Sequence, residues 1–182
     1  MKKYKIVAII GPAGAGKDSL ARDIERYLDK AIDYHLIISL TTRPKRDYEV
    51  EGEDYYFVDN FNNYQMLETS SFNGWHYGTA LNNLRPDVIN IGVFNPEGVR
   101  SLMKHPEVEV IPILIKASDK VRLIRQLNRE SEPNIEEIFR RWKADKEDFS
   151  KLGFDYFEVI NETDRTKAGF DLMRIILQAD SN

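Results

Sequence analysis

The feature that most constrains this chain is Gly11-Pro-Ala-Gly14-Ala-Gly16-Lys17-Asp18-Ser19, set between an apolar run and an amphipathic one. The preceding Lys5–Ile10 is Ile-rich and apolar after its first residue, as a strand covered on both faces requires. After the glycines, Leu20, Ile24 and Leu28 fall on one helical face, which predicts a helix from Lys17 to about Lys30. A glycine-rich turn in that position lets the backbone curl, so that successive N–H groups point at phosphate oxygens from the positive end of a helix. Lys17 stands where a lysine reaches the terminal phosphates. The usual pattern has Ser or Thr directly after the lysine. Here Asp18 holds that place and Ser19 supplies the hydroxyl one position later. Asp18 reads first as an acidic residue suited to the helix dipole and second as a water-mediated partner of Mg²⁺.

The rest of the chain alternates strand and helix. Strands are expected at Leu36–Leu40, Val88–Val93, Val108–Ile115 and Phe157–Ile160. Helices are expected near Glu97–Lys104, about Lys120–Arg129, Ile135–Lys151 and Lys167–Gln178, with Glu130-Ser-Glu-Pro-Asn134 separating the middle pair. The stretch Asp47–Thr79 is rich in Tyr, Phe, Asn and Gly and reads as strands and turns with at most one short helix. The alternation predicts an α/β fold, a parallel sheet flanked by helices on both faces. Right-handed crossovers then gather the strand C-termini along one edge, where ligands bind.

Composition narrows the function. A length of 182 residues suits one domain with small insertions. With 26 Lys plus Arg against 30 Asp plus Glu, the net charge of −4 argues against a nucleic-acid binder. The absence of Cys excludes disulfide scaffolds, thiolate nucleophiles and Cys-based metal sites. His35, His76 and His105 have no metal-ligand spacing. The apolar run Ile6–Ile10 is too short for a signal h-region or a membrane span, so a cytoplasmic small enzyme or binding module is expected.

A second motif follows the loop. Ser39-Leu-Thr41-Thr42-Arg43-Pro-Lys-Arg46 is succeeded by Glu49-Val-Glu-Gly52-Glu-Asp54-Tyr55-Tyr56-Phe57-Val58 and then by Asn73-Gly74-Trp-His-Tyr77-Gly78-Thr79. Two arginines three residues apart, beside Tyr and Thr hydroxyls, suit a second dianionic phosphate, because Arg offers a planar donor fork.

With these elements in order, the chain resembles the guanylate kinase family of P-loop nucleoside monophosphate kinases, over nearly its whole length. The resemblance implies a P-loop NTPase-type core (1–40, 80–125 and 145–182), a small mostly-β acceptor-binding subdomain (about 41–79) and a helical lid (about 126–144). It implies ATP binding by Gly11, Ala13, Gly14, Ala15, Gly16, Lys17, Asp18 and Ser19, with Asn161 at the adenine and Ser19 as the Mg²⁺ hydroxyl. It assigns the acceptor phosphate to Arg43, Arg46, Tyr55 and Tyr77, and the base to Ser39, Thr79 and Glu68, the last lying nine residues before Tyr77. Arg129 matches the arginine entering the lid. Arg140 or Arg141 matches the returning one, and an Ile-x-x-Arg alignment favours Arg141. Arg122 and Arg125 are balanced between lid duty and a solvated helix face paired with Glu136, Glu137 and Asp145. The acidic Mg²⁺ partners are open among Asp18, Glu49 and Asp87.

The chain departs from the family in two places. The segment between Phe57 and Glu68 is shorter than usual. Asn90 and Gly92 stand where the family carries an Asp-x-Asp pair, followed by Phe94-Asn95-Pro96. Asn95 is open between a base contact and a plain turn. The expected activity is transfer of the ATP γ-phosphoryl group, with Mg²⁺, to a nucleoside monophosphate, GMP or dGMP first. Two alternatives stand beside it. The loop Gly-Pro-x-Gly-x-Gly-Lys-Asp-Ser-Leu also resembles that of ribose 1,5-bisphosphate phosphokinase. A guanylate-kinase-like module that only binds partners is the other. Small-molecule nucleotides are the expected ligands, without nucleic acid or membrane, and the oligomeric state is open.

Overall fold

The apolar run forms strand β1 (Tyr4–Ile10), and Ile6 through Ile10 are wholly buried, as a central strand demands. This computed structural model describes residues 4–28, 32–47, 49–72, 74–129 and 132–180. Lys30, Asn73, Glu130 and Ser131, which figure in the expectations above, lie outside the described residues. Five strands form one sheet in the order β2-β7-β1-β8-β9, where β2 is Tyr34–Leu36, β7 Ile89–Val93, β8 Val108–Lys116 and β9 Phe157–Ile160. The β2/β7 and β8/β9 pairs are both parallel. Each strand other than β2 is followed by a helix: α1 (Lys17–Leu28), α2 (Pro96–Met103), α3 (Asp119–Leu127) and α5 (Arg165–Asp180), with α4 (Ile135–Asp148) after α3.

The backbone separates into two compact units. The first comprises Met1–Val7, Asp33–Gly92 and Glu97–Val110. It holds a four-stranded sheet in the order β4-β3-β6-β5, formed by β3 (Leu40–Thr41), β4 (Tyr56–Phe57), β5 (Met66–Phe72) and β6 (Trp75–Ala80). Here the expected strand Leu36–Leu40 is corrected. Its start belongs to β2, paired with β7, whereas Leu40 and Thr41 join the other sheet opposite Gly78 and Tyr77. Leu36-Ile-Ile-Ser-Leu40 carries no mark of the point where the chain changes sheets. Strands β5 and β6 form an antiparallel hairpin, and an irregularity between Met66 and Glu68 sets Glu68 opposite Thr79.

The second unit comprises Ala8–Ile32, Val93–Pro96 and Ile111–Asn182. Helix α1 buries Leu20, Ile24 and Leu28 completely. Helix α5, which packs on it, buries Ala168, Leu172 and Ile176, and Tyr27 meets Phe170 edge-on at 5.4 Å. Each such Leu or Ile contributes about 1.5–3 kcal/mol relative to exposure. Helices α3 and α4 begin at side-chain caps: Ser118 Oγ accepts from Val121 N–H, and Asn134 Oδ1 from Glu137 N–H at 3.0 Å. No helix of the described residues is long and apolar enough to cross a membrane.

Candidate active site

The glycine-rich loop leaves β1 and enters α1 at Lys17. Gly14 and Gly16 lie at φ +79° and +90°, a region that side chains with a Cβ rarely adopt. A Cβ on Gly14 would also stand 2.5 Å from the Arg122 carbonyl oxygen, and one on Gly16 would collide with the Asn161 amide. The first turn of α1 leaves its N–H groups without partners inside the helix, and Lys17, Asp18 and Ser19 lie in that turn. Lys17 Nζ lies 3.3 Å from Asp18 Oδ2. Ser19 is exposed.

Side chains from α3 and from the end of β9 brace this loop. Asn161 is 2% exposed and donates through Nδ2 to Ala15 O at 2.8 Å, and its Oδ1 is buried without a hydrogen bond to a described residue. Arg125 donates to the carbonyls of Ala15 (3.2 Å) and Glu162 (2.6 Å). Arg122 is 7% exposed and donates to Ala13 O at 3.0 Å. Of the two open readings for these arginines, the ion pair with Asp145 is present for Arg122, but its guanidinium is buried rather than solvated. Their partners stand more than 100 residues away along the chain for Ala13 and Ala15, a relation that helical spacing does not reveal.

In the first unit, Arg43 and Glu49 form a two-pronged ion pair, Nη2 to Oε1 at 2.7 Å and Nη1 to Oε2 at 2.9 Å. Both side chains are nearly enclosed, 11% and 6% exposed. The same carboxylate accepts from Arg46 N–H at 2.8 Å. The guanidinium carbon of Arg43 stands 5.7 Å from the ring centres of both Tyr55 and Phe57, and Tyr55 meets Tyr77 edge-on at 5.8 Å. Hydrogen bonding to Glu49 holds the Arg43 guanidinium more firmly protonated, and bonding to Arg43 holds the Glu49 carboxyl below the usual range. Arg43, Tyr55 and Tyr77 are therefore one cluster, and the Arg46 backbone joins it through Glu49. As a Mg²⁺ partner Glu49 is a poor candidate, because its two oxygens already receive three hydrogen bonds.

Glu68 and Thr79 face one another across the β5/β6 hairpin. Burial pushes the Glu68 carboxyl up to about 7, against the opposing pull of Thr79 across the hairpin. Thr79 is fully buried, and its hydroxyl makes no hydrogen bond of good geometry to a described residue. Ser39 is half-buried, and its carbonyl accepts from Tyr56 N–H at 2.9 Å. Asn90, in the first place of the missing Asp pair, is wholly buried. Its Oδ1 accepts from Arg85 N–H at 2.8 Å, and its Nδ2 donates to the carbonyls of Lys5, Arg85 and Val88 at 2.9–3.2 Å. Asn95 directly precedes Pro96, the first residue of α2. Asp87 is exposed and left-handed at φ 61°, in the turn before β7.

Within the second unit, Arg129 and Arg141 line one cleft between α3 and α4, together with Gln126 and Glu137. Glu137 pairs with Arg140 Nε and with Arg141 Nε, each at 2.7 Å, and those two bonds pull its carboxyl down to about 2. Both arginines keep about half their side-chain surface open, 51% and 41%.

The family model for guanylate kinase matches residues 3–179. The chain belongs to the guanylate kinase family. Among its relatives, the guanylate kinase of Rhodopseudomonas palustris is 30% identical over 93% of this chain and 79% of its own length. That of Caldanaerobacter subterraneus subsp. tengcongensis is 31% identical over 88% and 81%. The crystal structure of guanylate kinase from Anaplasma phagocytophilum has a similar fold, with a TM-score of 0.68 and 20% identity over all of this chain and 89% of that one.

Two residues that shape this guanylate kinase family site escaped sequence reasoning. Glu49 was visible only as one open candidate for a Mg²⁺ partner, although it pairs with Arg43 through both oxygens. Asp145, which reaches the loop amide of Ala13 at 2.8 Å, was visible only as an ion-pair partner on α4. Only contact between distant segments exposes either role, and no local pattern marks it.

Proposed function

We propose that the chain transfers the γ-phosphoryl group of ATP to the phosphate of a guanine nucleoside monophosphate, GMP or dGMP. The observation that carries this reading is Lys17 at the head of α1, behind a loop whose Gly14 and Gly16 are left-handed, in a chain that matches the guanylate kinase family over residues 3–179. Phosphoryl transfer asks for alignment and charge cancellation more than for covalent chemistry. Lys17 and the N–H groups opening α1 would hold the β- and γ-phosphates. Arg43, Arg46, Tyr55 and Tyr77 would hold the acceptor phosphate. Because Glu49 fixes the Arg43 fork beforehand, less orientation entropy is lost when the phosphate arrives. Glu68, Thr79 and Ser39 would read the base.

Arg129 and Arg141, which share a cleft, with Arg140 beside them, would neutralise charge on the moving group. Arginines in that role elsewhere are worth roughly 10³–10⁵ in rate. The exposed Ser19 hydroxyl and Asp18 are hard oxygen donors of the kind Mg²⁺ accepts, so the residues present fit the ion. When bound, Mg²⁺ would supply charge neutralisation for the ATP phosphates. Asn161, buried and donating to Ala15, would keep the loop in its binding shape beside the adenine. Lys17→Ala tests the reading: phosphoryl transfer should be lost while the folded state persists in circular dichroism. Substantial retained transfer contradicts it.

A further inference from the structure

Both backbone groups of one phosphate-loop residue, Ala13, are held by side chains from outside the loop. Asp145 Oδ2 accepts from Ala13 N–H at 2.8 Å. Arg122 Nε donates to Ala13 O at 3.0 Å. Asp145 and Arg122 close the circuit with a 2.7 Å ion pair, and their side chains are only 16% and 9% exposed. The Arg122 guanidinium lies 4.5 Å from the centre of the Trp142 ring, one turn before Asp145 on α4. Enclosing a charged pair is costly unless its hydrogen bonds are made, and here the loop peptide makes two of them.

The two helices involved are those that carry the lid arginines. Gln126, one turn after Arg122 on α3, both reaches Ala13 O at 3.5 Å and lines the cleft with Arg129 and Arg141. Asp145 stands four residues after Arg141, on the same face of α4. Burial raises the Asp145 carboxyl, while Ala13 N–H, Arg122 and the Lys17 charge pull it back. The carboxylate therefore also feels the residue that would grip the terminal phosphates.

We infer that Asp145, acting through Arg122 and the Ala13 peptide, is a positioning residue. It sets the entry half of the phosphate loop and links nucleotide binding there to the posture of α3 and α4. This rests on the reading of the loop as the ATP site. A rotation of either helix that moves Arg129 or Arg141 also moves the groups that fix Ala13.

The test is ATP titration by calorimetry, together with steady-state kinetics, on the wild type, Asp145→Ala and Asp145→Asn. Asp145→Ala should raise both the ATP Kd and the ATP KM about tenfold or more, because a buried N–H and a buried guanidinium each lose a partner. The KM for GMP should stay within about twofold. Asp145→Asn should recover part of the loss, because its amide oxygen can still accept from Ala13 N–H. ATP constants within about twofold of wild type in both variants overturn the proposal. So does a fall in kcat with both KM values unchanged, which reports only a smaller folded fraction. If Asp145→Ala does not fold, Asp145→Asn decides by the same ratio of ATP to GMP effects. A wild type that binds no ATP overturns the loop reading and this proposal together.

Discussion

Arg43 and Glu49 are joined by two parallel hydrogen bonds of 2.9 and 2.7 Å, and that pair organises the acceptor segment. The carboxylate also takes the Arg46 N–H, so one glutamate sets the positions of both motif arginines. Two effects oppose each other when Glu49 is neutralised. A phosphate dianion would meet less repulsion, but the Arg43 fork would lose its fixed plane. Because the pair is nearly enclosed, removing one partner leaves an uncompensated charge, and orientation should dominate. Glu49→Gln is expected to raise the KM for GMP about tenfold with little change for ATP, and to lower stability, because each lost charged hydrogen bond is worth about 1.5–3 kcal/mol. A lower KM for GMP would show instead that Glu49 competes with the phosphate.

Glu68 makes stability depend on pH. Its carboxyl titrates near 7 in the folded protein, raised from 4.5 chiefly by burial. Between these values the folded state holds a proton that the unfolded chain has released, so stability falls as pH rises. The cost is absent below about pH 4.5 and complete above about 7, on the order of 3 kcal/mol. Thermal melts at pH 5 and pH 8 should show a smaller decline for Glu68→Gln than for the wild type. The ionised carboxylate is also the form that accepts hydrogen bonds from a guanine edge, so the KM for GMP should fall as pH rises from 6 to 8. Equal pH slopes for wild type and variant would remove Glu68 from the account.

Asn90 carries structure rather than recognition. Its amide meets four backbone groups, three of them carbonyls. Asn90→Ala should cost about 2–4 kcal/mol, lowering Tm by roughly 5–15 °C. Asn90→Asp, which restores the residue usual in the family, would turn a carboxylate toward those carbonyls. It should be less stable than wild type at pH 8 and closer to it at pH 5, where the acid can be protonated and donate. Scanning calorimetry at the two pH values checks both variants. An Asn90→Asp protein as stable as wild type at pH 8 would contradict the hydrogen-bond assignment.

Much of the fold is legible in the sequence because its signals are local. The Ile-rich β1, the glycines and the Leu20, Ile24, Leu28 face lie within 25 residues of one another, and the structure keeps all three. The break near Pro133 is legible for the same reason, and α4 begins at Ile135 as expected, whereas the capping role of Asn134 appears only in the structure. The path after β2 is not, because Leu36–Leu40 has the same apolar character in either sheet. The charged residues divide in the same way. Lys17 and Arg43 announce themselves by motif. Arg122 looks like one of several arginines on a helix face until its partners Ala13 and Asp145 are seen.

The central claim is tested most directly by incubating the wild-type protein with ATP and Mg²⁺ against a panel of GMP, dGMP, the other nucleoside monophosphates and ribose 1,5-bisphosphate, and following ADP formation. The account predicts ADP release that depends on GMP or dGMP, with a diphosphate product and little turnover when acceptor is absent. Turnover with ribose 1,5-bisphosphate alone, or none with any acceptor, would contradict it.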